Sequence, residues 1–263
     1  MNKYESIVAG IVESKEDFLR KFVVPLLIPS TKSKRSAPEF VGTGFIIRYN
    51  SVQYLISANH VVEEFTKRSN PIYSFGPTSA GLFEFDTADQ YCSSDDFAIV
   101  PIGAVESQGL VPYELSPRKL FEARDNIIHV WGFPGSKNKK LISRNEAIPS
   151  GLTLEIVEES IDISGEKTFR NAALDRRNFV EAGMSPHPHG MSGSPVFSLG
   201  AKRIYTQAGR ENEREFNLIG IYTETHDKEK ACQYELLNPA LFSCRKKFTD
   251  FNDWEECQDT TLY

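Results

Sequence analysis

The chain has 263 residues, 40% of them apolar, with 30 basic and 36 acidic side chains and a formal net charge of −6. That length holds one large domain or two small ones around a core of ordinary size. The acidic balance, with a pI near 5.5, argues against nucleic acid or an anionic membrane as the main partner, and the interspersed charges read as a solvated surface.

The four cysteines, Cys92, Cys232, Cys244 and Cys257, match no zinc spacing and include no C-x-x-C, so neither a metal nor any other cofactor is expected. The first residues, M-N-K-Y-E-S-I-V-A-G-I-V-E-S-K-E-D, meet acids too soon for a signal peptide. No run approaches the roughly 18 apolar residues of a membrane helix. A reducing, cytoplasmic setting with free thiols is therefore expected.

In chain order, Asn2–Phe22 has apolar residues at near-helical spacing and predicts an amphipathic helix. Phe22–Ile28 (F-V-V-P-L-L-I) predicts a first strand, with Pro25 marking an edge. Val41–Val62 (V-G-T-G-F-I-I-R-Y-N-S-V-Q-Y-L-I-S-A-N-H-V-V) predicts strands over Gly44–Arg48 and Gln53–Ser57, joined at Asn50–Ser51, with His60 after the second strand. In Tyr91–Ile102 (Y-C-S-S-D-D-F-A-I-V-P-I) an acidic pair leads into an apolar strand, with Asp96 placed to face inward and Asp95 water. Gly103–Arg124 crosses to a second unit opened by Asn126–Gly132. Strands are predicted there at Leu141–Ser143, Thr153–Glu158, Thr168–Asn171, Asn178–Ala182, Pro195–Leu199, Arg203–Thr206 and Asn217–Thr223. Gly209–Glu215 (G-R-E-N-E-R-E) reads as a charged hairpin tip, and Tyr234–Phe242 as a short helix before an acidic, aromatic tail.

Pro186–Phe197 (P-H-P-H-G-M-S-G-S-P-V-F) sets Ser192 close to two glycines with an apolar strand behind it. A serine attacks a carbonyl only when a base takes its proton and donors hold the oxyanion; glycines let the backbone turn and aim N–H groups there. Ser192 would be the nucleophile, His60 its base and Asp96 the orienting acid. The order His, Asp, Ser excludes the α/β-hydrolase plan, in which acid and histidine follow the serine. His226 is the only later histidine, no aspartate separates it from Ser192, and position 194 is serine rather than the glycine of G-x-S-x-G.

At these residues the chain resembles the trypsin-like (chymotrypsin-fold) serine peptidases, most closely their bacterial trypsin-like-domain branch. G-T-G-F-I-I…Y-L-I-S-A-N-H-V-V, D-F-A-I-V and G-M-S-G-S-P-V are similar to that family's histidine, aspartate and serine motifs, and W-G-F-P-G to the turn opening its second barrel. The resemblance implies an all-β fold of two six-stranded antiparallel barrels, extended here by an N-terminal helix and a short C-terminal helix. The expected division is 1–22 helical extension, 23–120 first barrel, 121–230 second barrel and 231–263 C-terminal helix and tail. It also implies peptide-bond hydrolysis by His60, Asp96 and Ser192 through an acyl-enzyme, with Gly190 and Ser192 N–H groups as the oxyanion hole. Pro186, His187, His189, Tyr222 and Thr223 would wall the substrate pocket. Pro186 stands where relatives preferring Arg or Lys carry Asp, and His187, His189 and His226 could instead accept an acidic side chain.

Met191 departs from the Asp or Asn usual before the serine, Ser194 from the second glycine, and Asn59 from the usual alanine. The hole must then be ordered another way or by an activating protein partner. The expected partners are a protein or peptide substrate and that activator, with no nucleic acid and no membrane. A non-catalytic trypsin-fold interaction module is the alternative, disfavoured because a scaffold has no reason to keep all three residues.

Overall fold

The computed structural model describes residues 18–28, 38–77, 81–87, 90–94, 96–115, 127–135, 152–162, 169–174, 190–206, 209–226, 231–237 and 246–247. The helix predicted over Asn2–Phe22 lies outside them except at its end, where Phe18 and Leu19 are helical. The strands predicted at Leu141–Ser143 and Asn178–Ala182 also lie outside.

Among the described residues the chain is mostly β-sheet with one helix of more than a turn. The first half runs β1 (Val23–Ile28), β2 (Glu39–Tyr49), β3 (Val52–Ala58), α1 (Asn59–Lys67), β4 (Tyr73–Phe75), β5 (Leu82–Glu84), β6 (Gln90–Ser94), β7 (Phe97–Ile102) and β8 (Tyr113–Glu114). The second runs β9 (Ile127–Gly132), β10 (Leu152–Asp162), β11 (Phe169–Leu174), β12 (Pro195–Thr206), β13 (Gly209–His226) and β14 (Ala231–Leu236), and β15 (Lys246–Lys247) returns to the first half. The two sets form separate sheets. One has nine strands, ordered β15-β6-β7-β3-β2-β1-β4-β5 with β8 beside β2; the other is a closed six-stranded barrel, β10-β11-β14-β13-β12-β9.

The β2–β3 hairpin turns at Asn50 and Ser51, both at positive φ (48° and 66°). That matches the right-handed twist of the flanking strands and fixes their register. The register sets Gly44 opposite Ser57 and Ala58 opposite Phe97 of β7, so the helix carrying His60 starts level with the β6–β7 turn.

Four expectations need correction. The first unit has nine strands rather than six: short β4 and β5 extend it at one end and β15 at the other, while β8 pairs with β2 inside the order. Strand β1 is not an edge despite Pro25: β2 flanks it on one side and β4 on the other. β4 meets it only at Leu27↔Tyr73, so Pro25 need not donate to that neighbour. Of the helix predicted over Tyr234–Phe242, Tyr234–Leu236 belong instead to strand β14, which closes the barrel between β11 and β13, and 238–242 lie outside the described residues. Likewise Gly209–Glu215 is no hairpin tip: it continues β13, paired with β12 from Thr206↔Gly209 onward.

One apolar core crosses the junction of the two halves. Phe22 just before β1, with Phe45 and Ile56 from the first sheet, packs in the same buried cluster as Trp131, Phe197 and Ile221 from the second. The site sits on this junction.

Candidate active site

Helix α1 begins without a cap of its own, since its N-cap residue is Ala58, which offers no side-chain oxygen. Asp96, in the β6–β7 turn, supplies what is missing. Its carboxylate accepts from the His60 backbone N–H (3.1 Å) and its carbonyl from the Asn59 N–H (3.0 Å). A carboxylate at a helix N-terminus satisfies an orphan donor and meets the positive end of the dipole. The same carboxylate faces the imidazole: His60 Nδ1 lies 2.7 Å from Asp96 Oδ1 and 2.9 Å from Oδ2. An ionised carboxylate only accepts, so Nδ1 carries the proton and Nε2 keeps its lone pair. The pair is partly solvated, with side chains 52% and 29% exposed. Asp96 is thus turned towards His60 at the surface rather than into the core. Burial lowers the imidazole's proton affinity, but the Asp96 hydrogen bond and charge, then the charges of Glu224 and Glu63, outweigh it and leave the His60 pKa raised above 6.5.

The residues around Ser192 are held by the first sheet as well as by their own barrel. The Thr43 N–H of β2 donates to the Ser192 carbonyl (3.0 Å), and Thr43 Oγ1 donates to the Gly190 carbonyl (2.9 Å) while accepting from the Phe133 N–H (3.0 Å). Ser57 Oγ in turn donates to the Thr43 carbonyl (2.8 Å). Gly190 and Gly193 both take positive φ, 95° and 90°, which side chains rarely allow. A Cβ on Gly193 would also strike Thr43 O and Ser57 Oγ and come within 3.1 Å of the Ala58 nitrogen. The serine loop therefore lies against the stretch of β3 that ends two residues before His60. Among the described residues, no carbonyl accepts from the Gly190 or Ser192 N–H.

Of the residues expected in the substrate pocket, Pro186, His187 and His189 lie outside the described residues. Tyr222 and Thr223 are both buried, and Thr223 Oγ1 donates to the Gln233 carbonyl (3.2 Å). Two residues were not singled out by sequence. Thr43 had a signal, a lone polar residue between glycines in an apolar strand. Glu224, exposed where its two predecessors are buried, stands just past the strand predicted over Asn217–Thr223 and had no signal of its own. Among the described residues no group of three His, Cys, Asp or Glu could hold a metal, and no helix is long and apolar enough to cross a membrane.

Residues 42–204, more than half of the chain, match the model of the trypsin-like peptidase domain. The chain belongs to that family. No curated protein matches it by sequence. Among solved structures it is similar to a tobacco vein mottling virus protease (14% identity, 84% of this chain and 79% of that one, TM-score 0.46). It is also similar to a Glu endopeptidase in complex with MPD (14%, 85% and 87%, TM-score 0.46) and to the active form of an M. tuberculosis protease (16%, 88% and 81%, TM-score 0.48).

Within this peptidase domain the three departures find physical settings. Met191 is fully buried in the barrel core with Val130, Val196 and Tyr222, so an apolar anchor stands where the resemblance led to an expected Asp or Asn. Ser194 is fully buried, and its Oγ fills the space left by the missing side chain of Gly132. Asn59 Nδ2 donates to Glu63 Oε1 (2.9 Å), bracing one of the carboxylates that act on His60.

Proposed function

We propose that this trypsin-like peptidase is a serine endopeptidase working through His60, Asp96 and Ser192. The observation that carries the reading is the His60–Asp96 pair, because it sets the tautomer: with Nδ1–H given to the carboxylate, Nε2 is the basic nitrogen. Ser192 Oγ attacks the peptide carbonyl and passes its proton to Nε2. The carbon–nitrogen bond then breaks as His60 protonates the leaving amine. Water, deprotonated by His60, hydrolyses the acyl-enzyme, releasing the acid and restoring Ser192. The N–H groups of Gly190 and Ser192 hold the oxyanion, a donor each worth about 3 kcal/mol in such sites. Met191 supports a loop ordered by its own apolar anchor, so the site is expected to react without an added partner.

The test is hydrolysis of a mixed peptide library by the wild type and by Ser192→Ala, followed by mass spectrometry. Cleavage by the wild type alone, with a trapped acyl adduct on Ser192, is the expected outcome. Equal product from both proteins rules out Ser192 as the nucleophile.

A further inference from the structure

One charged side chain beside this site, Glu224, stands outside the set of His60, Asp96 and Ser192. β13 pairs with β12 only as far as Pro195↔Ile221, but with β14 on to His226↔Ala231. Beyond Ile221 the edge that faced β12 turns to the serine loop: the Tyr222 N–H donates to the Ser194 carbonyl and the Gly193 N–H to the Tyr222 carbonyl, both at 2.8 Å. Among the described residues no strand pairs with Thr223–His226 on that edge. Such an edge accepts an extended peptide by strand addition, and a peptide laid there runs directly to Ser192.

A register shift follows Tyr222, so that Tyr222 faces Tyr234 and Glu224 faces Gln233, leaving Thr223 as the extra residue. Bulges of this kind re-aim side chains beside active sites. Tyr222 and Thr223 are buried and Glu224 is the first exposed side chain past the serine loop. Its charge reaches His60, whose proton affinity it helps to raise. Glu63, by contrast, is occupied by Asn59 and by Lys67 (3.2 Å), whereas Glu224 has no ion-pair partner among the described residues.

Resting on the peptidase reading above, we propose that Glu224 is a specificity residue that selects substrates with lysine or arginine within three residues on the acyl side of the cleaved bond. The bound peptide brings a cation, which this carboxylate does not meet among the described residues. The sign is opposite to that suggested by His187, His189 and His226.

The test uses peptidyl diphenyl phosphonates carrying Lys, Gln or Glu at the first, second or third residue before the phosphonate, with a plain fluorophosphonate as control. The readout is the rate of Ser192 modification by mass spectrometry in the wild type, E224Q and E224K. At one position Lys should outpace Gln by about 5-fold, the discrimination expected of one partly solvated charge pair. The ratio should fall to within 2-fold in E224Q and turn in favour of Glu in E224K; ratios within each variant cancel any general loss of reactivity. Equal wild-type rates for Lys and Gln at all three positions, or a preference unchanged in E224Q, overturn the inference while fluorophosphonate labelling leaves the peptidase reading intact. Absence of labelling by every reagent overturns the peptidase reading and this inference with it.

Discussion

Replacing Thr43 by valine removes one hydroxyl of the same size as a methyl group and two hydrogen bonds with it. The buried Phe133 N–H loses its acceptor, and the Gly190 carbonyl loses its donor. A buried donor left unpaired costs about 1–3 kcal/mol, and the second bond about 1 kcal/mol more. Thr43→Val should therefore lose about 2–4 kcal/mol of stability, which for a chain of this size lowers Tm by roughly 4–16 °C. Thr43→Ser keeps both bonds and forfeits a methyl group, about 1 kcal/mol. The functional consequence is separate. The Gly190 carbonyl and the Gly190 N–H flank the same residue, so freeing the first lets the second drift from the oxyanion. Ser192 labelling by a fluorophosphonate should slow at least tenfold in the valine variant and within threefold in the serine variant, a gap of the size oxyanion-hole donors produce. Urea unfolding and labelling kinetics on the three proteins measure both quantities. A valine variant within about 0.5 kcal/mol of wild type, as ordinary surface substitutions are, and labelled at the wild-type rate, refutes the role given to Thr43.

Four further outcomes are expected. Because His60 acts as a base when neutral and its pKa is raised, kcat/KM should climb with pH through a midpoint above 6.5. Asp96→Asn removes the largest raising influence, so that midpoint should move down while the rate falls by about 10^4-fold through the wrong tautomer; a midpoint that stays put contradicts the assigned cause. Gly193→Ala must hold a side chain at φ 90° against Thr43 and Ser57, costing at least 1–3 kcal/mol from backbone strain alone, with lost Ser192 reactivity; near-wild-type melting shows the loop is not clamped as described. Met191→Ala empties a fully buried site and should cost about 2–5 kcal/mol in urea unfolding, whereas Met191→Leu should cost less than about 1.5 kcal/mol.

Much of the site was legible because it rests on short motifs. His60 follows a strand and two small residues, Asp96 precedes an apolar strand, and Ser192 lies among glycines, so each is marked by its immediate neighbours. The hairpin at Asn50–Ser51 was legible for the same reason. What escaped depends on pairing between distant segments. Outside its own sheet Thr43 joins three partners, Ser192, Gly190 and Phe133, and the most distant is 149 residues away in sequence. The run G-R-E-N-E-R-E shows no apolar alternation, so periodicity does not reveal it as a strand, whereas its register with β12 does. Tyr234 and Leu237 are three residues apart and both buried, a spacing that suits a helix; in fact Tyr234 belongs to β14, and Leu237 follows it, held by the backbone bond from its N–H to the Ile219 carbonyl (3.0 Å). Glu224 gains its meaning only from where β12 stops pairing.

The central claim is that His60 and Asp96 activate Ser192. Its most direct measurement is mass spectrometry of the intact wild-type protein and Ser192→Ala after a fluorophosphonate probe, with the adduct located by peptide mapping. A single adduct on Ser192 in the wild type, absent from Ser192→Ala and strongly slowed in Asp96→Asn, is the predicted result. A folded wild-type protein that takes up no probe, or takes it up equally after loss of Ser192, contradicts the account and leaves the fold as a binding module.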